Sequence, residues 1–236
     1  MARWLAQLQG DSYYLEDLPE LFPDGDSFVF VEGDHYFLAG SRLELLPDGR
    51  LVNDLANQLI DEFAAVAAIF YGHFERPKVG VIYREADDGS RTGMQYGIVA
   101  DMVVRSKMRA KLADTPGPTT AQRLLGAAQS SLHLKTALLL WADPLKTWPR
   151  LYRIVEEVQQ HFGTAVNKAG LCTKDELKRF EHTANSAEAA GADSRHALLR
   201  YEAPANPMSL IDATAFVRGV IRKALEKQHA LPGSAV

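Results

Sequence analysis

Lys111-Leu112-Ala113-Asp114-Thr115-Pro116-Gly117-Pro118-Thr119-Thr120 is the stretch on which the reading of the fold turns. Proline and glycine at 116–118 stop both a helix and a strand ladder. The hydrophobic pattern differs on its two sides, and so does the charge. Residues 1–106 hold 8 Lys/Arg against 18 Asp/Glu, a balance of −10, whereas residues 107–236 hold 18 against 12, a balance of +6. The stretch therefore reads as a boundary between two domains, although a single domain with a long surface loop fits the same residues. The charge split has two readings as well: complementary docking of the two halves, or separate partners for each.

Upstream, the pattern is mixed. Trp4, Ala6 and Leu8 alternate with polar neighbours, as in a strand. Tyr14 to Pro19 reads as a turn or short helix. Ser27 to Val31 and His35 to Leu38 flank Glu32-Gly33-Asp34 and predict a hairpin turning at Gly33. Pro47-Asp48-Gly49 reads as another turn. Asn53 or Asp54 then starts a helix carrying Leu55, Leu59, Phe63, Val66 and Phe70, which ends at Gly72. Lys78 to Glu85 and Gly93 to Val104 are β-rich runs around Asp87-Asp88-Gly89-Ser90, a second hairpin.

Downstream, the period is helical. Thr119 or Thr120 caps one helix from Leu124 through Leu138 to Trp141, broken at Asp143-Pro144. Thr147 precedes a helix with Pro149 in its first turn and Gly163 at its end. Thr173 with Glu176 forms a capping box, and Ser209 with Asp212 a similar one. The segment Ala184 to Ala205 is less regular. Four or five helices with short joins predict an antiparallel bundle. The expected fold is thus α+β: a β-rich mixed domain with one long helix over residues 1–106, a linker over 107–119, a helical bundle over 120–228 and a tail over 229–236.

Composition narrows the function classes. The 236 residues carry a net charge of −4 and 47% hydrophobic residues, which suits a globular chain with a real core. Cys172 is the only cysteine, so an intrachain disulfide and a Cys-rich zinc site are excluded. The polar N-terminus lacks a signal-peptide h-region. The runs Phe63–Tyr71 and Ala137–Ala142 are too short for a membrane span. A cytoplasmic protein without a membrane contact is expected. Phosphate-loop, dinucleotide, zinc-protease and nucleophile-elbow signatures are absent.

The richest polar stretch is Arg179-Phe180-Glu181-His182-Thr183-Ala184-Asn185, continuing to Gly191-Ala192-Asp193-Ser194-Arg195-His196. A histidine moves a proton near neutral pH, and an arginine clamps a phosphate or steadies an oxyanion. Such groups can cleave RNA without a metal. The same groups also suit helix caps and turns. His182, Asp193 and His196 are metal-ligand types without helical pairing, and no metal or other cofactor is expected. Cys172 precedes a helix start whose N–H dipoles can lower a thiol pKa, yet a lone cysteine among Gly170, Leu171 and Thr173 is more often structural. Arg218, Arg222, Lys223 and Lys227 form a modest basic cluster, either a solvated face or a phosphate contact.

Several segments resemble a family of uncharacterised bacterial proteins: Trp148 to Glu156 (WPRLYRIVE), Lys178 to Asn185 (KRFEHTAN), Gly191 to His196, and Pro204 to Leu210 (PANPMSL). More distantly, a helical bundle with a polar Asn…Arg-His stretch resembles HEPN domains, helical modules of bacterial toxins, phage defence and RNA processing. Many of these are dimeric, metal-independent ribonucleases whose motif joins an Arg and a polar residue to a His a few positions on. The resemblance implies an RNA-binding or RNA-cleaving protein of a bacterial stress or defence system. It implies His196 as acid or base, Arg195 as phosphate clamp and Asn185 as positioning group, with His182 beside them. RNA would meet the basic helical half, and a homodimer is among the expected states. The competing expectation is a non-enzymatic interaction protein, with a protein partner on the N-terminal domain and a bundle that oligomerises.

Overall fold

The computed structural model describes residues 3–96, 118–190, 194 and 204–230. The predicted linker over 107–119 lies outside them except for Pro118 and Thr119. The chain divides into two compact units. The first comprises Met1–Ala67 and Phe74–Gln122, the second Ala68–His73 and Arg123–Val236. The architecture is α+β, an antiparallel sheet followed by helices.

The first unit is built on β1 (Arg3–Gln9), β2 (Phe28–Glu32), β3 (His35–Ala39), β4 (Lys78–Glu85) and β5 (Arg91–Gln95), in the antiparallel order β2-β3-β1-β4-β5. Alternation along β1 sends Trp4, Ala6 and Leu8 to one face, where they are buried with their partners Leu38 and Ile82. Both predicted hairpins form. Gly33 turns the first with φ 59° and Gly89 the second with φ 81°, backbone angles that side chains resist. Of the predicted strand from Gly93 to Val104, β5 covers the start, and residues from 97 onward lie outside the described residues.

Short helices α1 (Ser12–Leu15), α2 (Leu18–Leu21) and α3 (Ser41–Glu44) join the strands. The long helix α4 (Gly49–Tyr71) starts several residues before the expected Asn53 or Asp54. Asp48 supplies the reason. Its carboxylate accepts from Arg50 N–H at 2.9 Å and Leu51 N–H at 3.0 Å, so the predicted turn is a helix cap. From Leu59 to Ile69 every α4 residue except Asp61 is buried, Glu62 included. The helix is enclosed all round there rather than on one stripe. Phe63 stacks on Phe22 with centroids 3.9 Å apart.

The second unit holds α5 (Thr120–Gln129) from its fourth residue on, α6 (Leu132–Ala142), α7 (Trp148–Phe162), α8 (Lys174–Asn185), α9 (Ala187–Ala190) and α10 (Leu210–His229). The single helix expected from Thr120 to Trp141 is two helices. Ser131 adopts extended angles and its hydroxyl accepts from Leu134 N–H, so the chain restarts there. The other sequence signals hold. Thr147 precedes α7, and Gly163 closes it with φ 62°. Thr173 and Glu176 make a reciprocal capping box, and Ser209 caps α10. Trp141, Leu151, Phe180, Val217 and Ile221 are among the fully buried side chains of the unit.

Candidate functional site

The predicted site is only partly on view. His182 is exposed on α8. Asn185, one turn on, folds its side chain back to donate Nδ2–H to Glu181 O at 2.9 Å. Its Oδ1 is buried without a hydrogen-bond partner among the described residues. Arg195, His196 and Asp193 lie outside the described residues. Arg179 is occupied as a clasp on the chain before α10, donating to Asn206 O at 2.9 Å and Pro207 O at 3.1 Å. Among the described residues no group of three metal-ligating side chains converges, and no helix is long and apolar enough to cross a membrane.

Cys172 is half-buried. It sits beside the capping residue Thr173, yet burial pushes its thiol up to about 11, and Glu176 adds to the effect. Desolvation opposes the helix dipole and disfavours the thiolate. Lys146 shifts the other way. Burial lowers its amine to about 8, while Nζ donates to the carbonyls of Trp141 and Asp143 and lies 4.4 Å from the Trp141 ring centroid. It closes the end of α6 through these two carbonyls.

The basic cluster on α10 is half consumed by the fold. Arg218 donates to Ile69 O at 2.7 Å and Phe70 O at 2.5 Å, the last turn of α4, which groups with this unit. Lys227 donates to Ala169 O at 2.7 Å. Arg222 and Lys223 stay exposed. Arg222 pairs with Glu226 at 2.9 Å, an exposed contact of small energy. Seven positions beyond Arg222, with six residues between, stands His229, also exposed and the last residue of α10. Seven positions are almost two full turns, so the two side chains share a helix face about 10 Å apart along the axis. The Arg-to-His spacing was legible in the sequence and is the signal that the Asn185–His196 reading passed over.

Sequence reasoning also missed two polar rungs between helices, because their members are distant in the chain. In the first, Ser131 Oγ lies 2.9 Å from His161 Nδ1, and His161 Nε2 lies 3.0 Å from Gln228 Oε1. Gln228 in turn donates Nε2–H to Ser130 Oγ at 3.2 Å, which fixes its amide with the oxygen toward the imidazole. The ring therefore carries its proton on Nε2, and Nδ1 accepts from Ser131. Burial lowers the His161 pKa and outweighs the Gln228 bond, which raises it; His133 lowers it further. In the second rung Glu157, 4% exposed, takes His133 Nδ1 at 2.7 Å and Arg153 Nη2 at 2.6 Å.

No protein-family model matches the chain, and neither a curated protein nor a solved structure matches it.

Proposed function

We propose that the helical unit is a HEPN-like, metal-independent RNA-cleaving module whose working pair is Arg222 and His229. The observation that carries this reading is their placement: an exposed guanidinium and an exposed imidazole on one face of α10, seven positions apart in sequence. RNA supplies its own nucleophile. The 2′-hydroxyl attacks phosphorus, its proton leaves to a base, and the 5′-oxygen departs with a proton from an acid. His229 serves one of these proton transfers. Arg222 holds the non-bridging oxygens as negative charge grows on them.

Labelled single-stranded RNA incubated with the protein and a chelator tests this. Cleavage to cyclic-phosphate ends is expected, with His229→Ala slower by about 100-fold or more. Arg222→Ala should weaken binding and flatten its salt dependence. Absence of both cleavage and salt-sensitive binding overturns the reading. Asn185, Arg195 and His196 are the competing set for the same chemistry, and loss of activity in His196→Ala with His229→Ala intact would select them.

A second reading, a non-enzymatic interaction protein, is favoured by the other face of the sheet. There Phe28, Phe30 and Tyr83 are half-buried around the buried Leu5, Phe37 and Ala39. Arg3 lies 5.7 Å from the Phe30 ring centroid and Arg91 5.2 Å from that of Phe37. Aromatic and arginine side chains are enriched where proteins meet. In this case Phe30→Lys should dissolve a native complex and leave the isolated protein folded.

A further inference from the structure

We propose that Ser131 is a nucleophile toward acyl esters, activated by His161 and kept in register by Gln228, a second activity separate from the RNA chemistry of α10. The argument starts from the hydrogen positions. Gln228 Oε1 can only accept, so His161 Nε2 carries the proton and Nδ1 offers its lone pair to the Ser131 hydroxyl at 2.9 Å. Ser131 also accepts from Leu134 N–H, at the longer distance of 3.4 Å. Its hydrogen thus points at the imidazole, and the residue is half-buried. Burial keeps that imidazole neutral, the form a base needs. Hydroxyl, base and a third group orienting the base form the array that nucleophilic catalysis requires.

A cap alone does not account for this arrangement. A serine cap needs one bond, to the first turn of its helix. Here the hydroxyl is tied to α7, and through the imidazole to α10, with the amide of Gln228 locked by Ser130. Beside the hydroxyl, Leu132 is 78% exposed and offers an apolar surface to an acyl chain. The first-turn amides of α6 have no acceptor within the helix and are the donors available to an oxyanion formed at Ser131.

The steps balance without a co-reactant other than water. Ser131 Oγ bonds to the carbonyl carbon while its proton passes to His161 Nδ1. The alkoxide leaves with that proton as alcohol, and the acyl group remains on Oγ. Water then attacks the acyl carbon and gives a proton to Nδ1. The Oγ–carbon bond breaks, Oγ recovers the proton, and a carboxylic acid departs.

A fluorophosphonate probe with peptide mass analysis, together with p-nitrophenyl acetate turnover, tests the proposal on the full chain. Labelling at Ser131 and a burst of nitrophenol are expected. Ser131→Asn keeps a helix cap and removes the nucleophile. It should abolish both signals and leave RNA cleavage unchanged, so the two readings fail separately. His161→Gln, with helix content checked by circular dichroism, should slow labelling by about 100-fold or more. Gln228→Leu should shift the pH midpoint of labelling. An unlabelled Ser131, or labelling equal in wild type and His161→Gln, overturns the proposal.

Discussion

The two units handle their polar groups in opposite ways. In the sheet unit, Glu85 at 13% side-chain exposure is paired with arginines whose network ends on side chains that reach water. Glu85 receives Arg3 at 2.7 Å and Arg91 at 2.6 Å, and Arg91 also pairs with Glu32. Arg3 and Glu32 keep 41% and 53% of their side-chain exposure. In the helical unit the corresponding links run between helices. Glu157 keeps only 5% side-chain exposure while holding groups from α6 and its own helix. His161 bridges α6, α7 and α10. The lesson is one of solvation. Exposed ion pairs add little stability and leave ordinary chemistry, whereas partly dehydrated groups raise the stakes of each bond and shift proton affinities. Reactive groups are therefore sought in the second unit.

The largest effect should come from the core of the first unit. Phe63 is fully buried against Phe22, and Phe63→Ala should cost about 3–5 kcal/mol in chemical denaturation. Next comes Glu157→Gln, which weakens the bond to His133 on α6 and the ion pair with Arg153 on its own helix; a loss of about 2 kcal/mol is expected from the same measurement. Arg3→Ala in the sheet network should cost less than about 1 kcal/mol. Equal costs for Glu157→Gln and Arg3→Ala would break the contrast between the units.

The smallest effect is a pH dependence that sharpens it. Burial lowers the His161 pKa from its ordinary 6.5, so the stability tied to its neutral form is present above that value and is lost as pH falls through the folded one. Arg3 and Arg91 lower the Glu85 pKa from its ordinary 4.5, so its contribution is present above 4.5 and is lost only as pH falls further. Hydrogen exchange followed against pH should show protection at α6, α7 and α10 weakening below about 6.5, in the region of the His161 value. Protection at β1, β4 and β5 should persist to below about 4.5, in the region of the Glu85 value. Simultaneous loss in both units would refute the separation.

Much of the fold was legible because its signals are local. Gly33, Gly89 and Gly163 sit where the backbone takes positive φ, and Thr173 with Glu176 closes its box within four residues. The errors were local competitions decided by a side chain. Asp48 looked like part of a turn and is the cap of α4, while Ser131 looked like a helix interior and is the cap of α6. The candidate site was far less legible. The spacing of Arg222 and His229 stood in the sequence, but the exposure of both did not. The two readings of Cys172, structural or activated, stayed open in the sequence because burial, which opposes the helix dipole, has no sequence signature.

By itself the sequence determined the α+β order, the hairpins, most helix ends and the uneven charge, since periodicity, capping and turn chemistry act over a few residues. Only the tertiary structure decided which polar groups meet. Ser131 and His161 are 30 positions apart and His161 and Gln228 are 67 apart. No local rule brings such groups together. Helix packing does, because α6, α7 and α10 bury their apolar faces against one another and carry those three side chains into bonding distance.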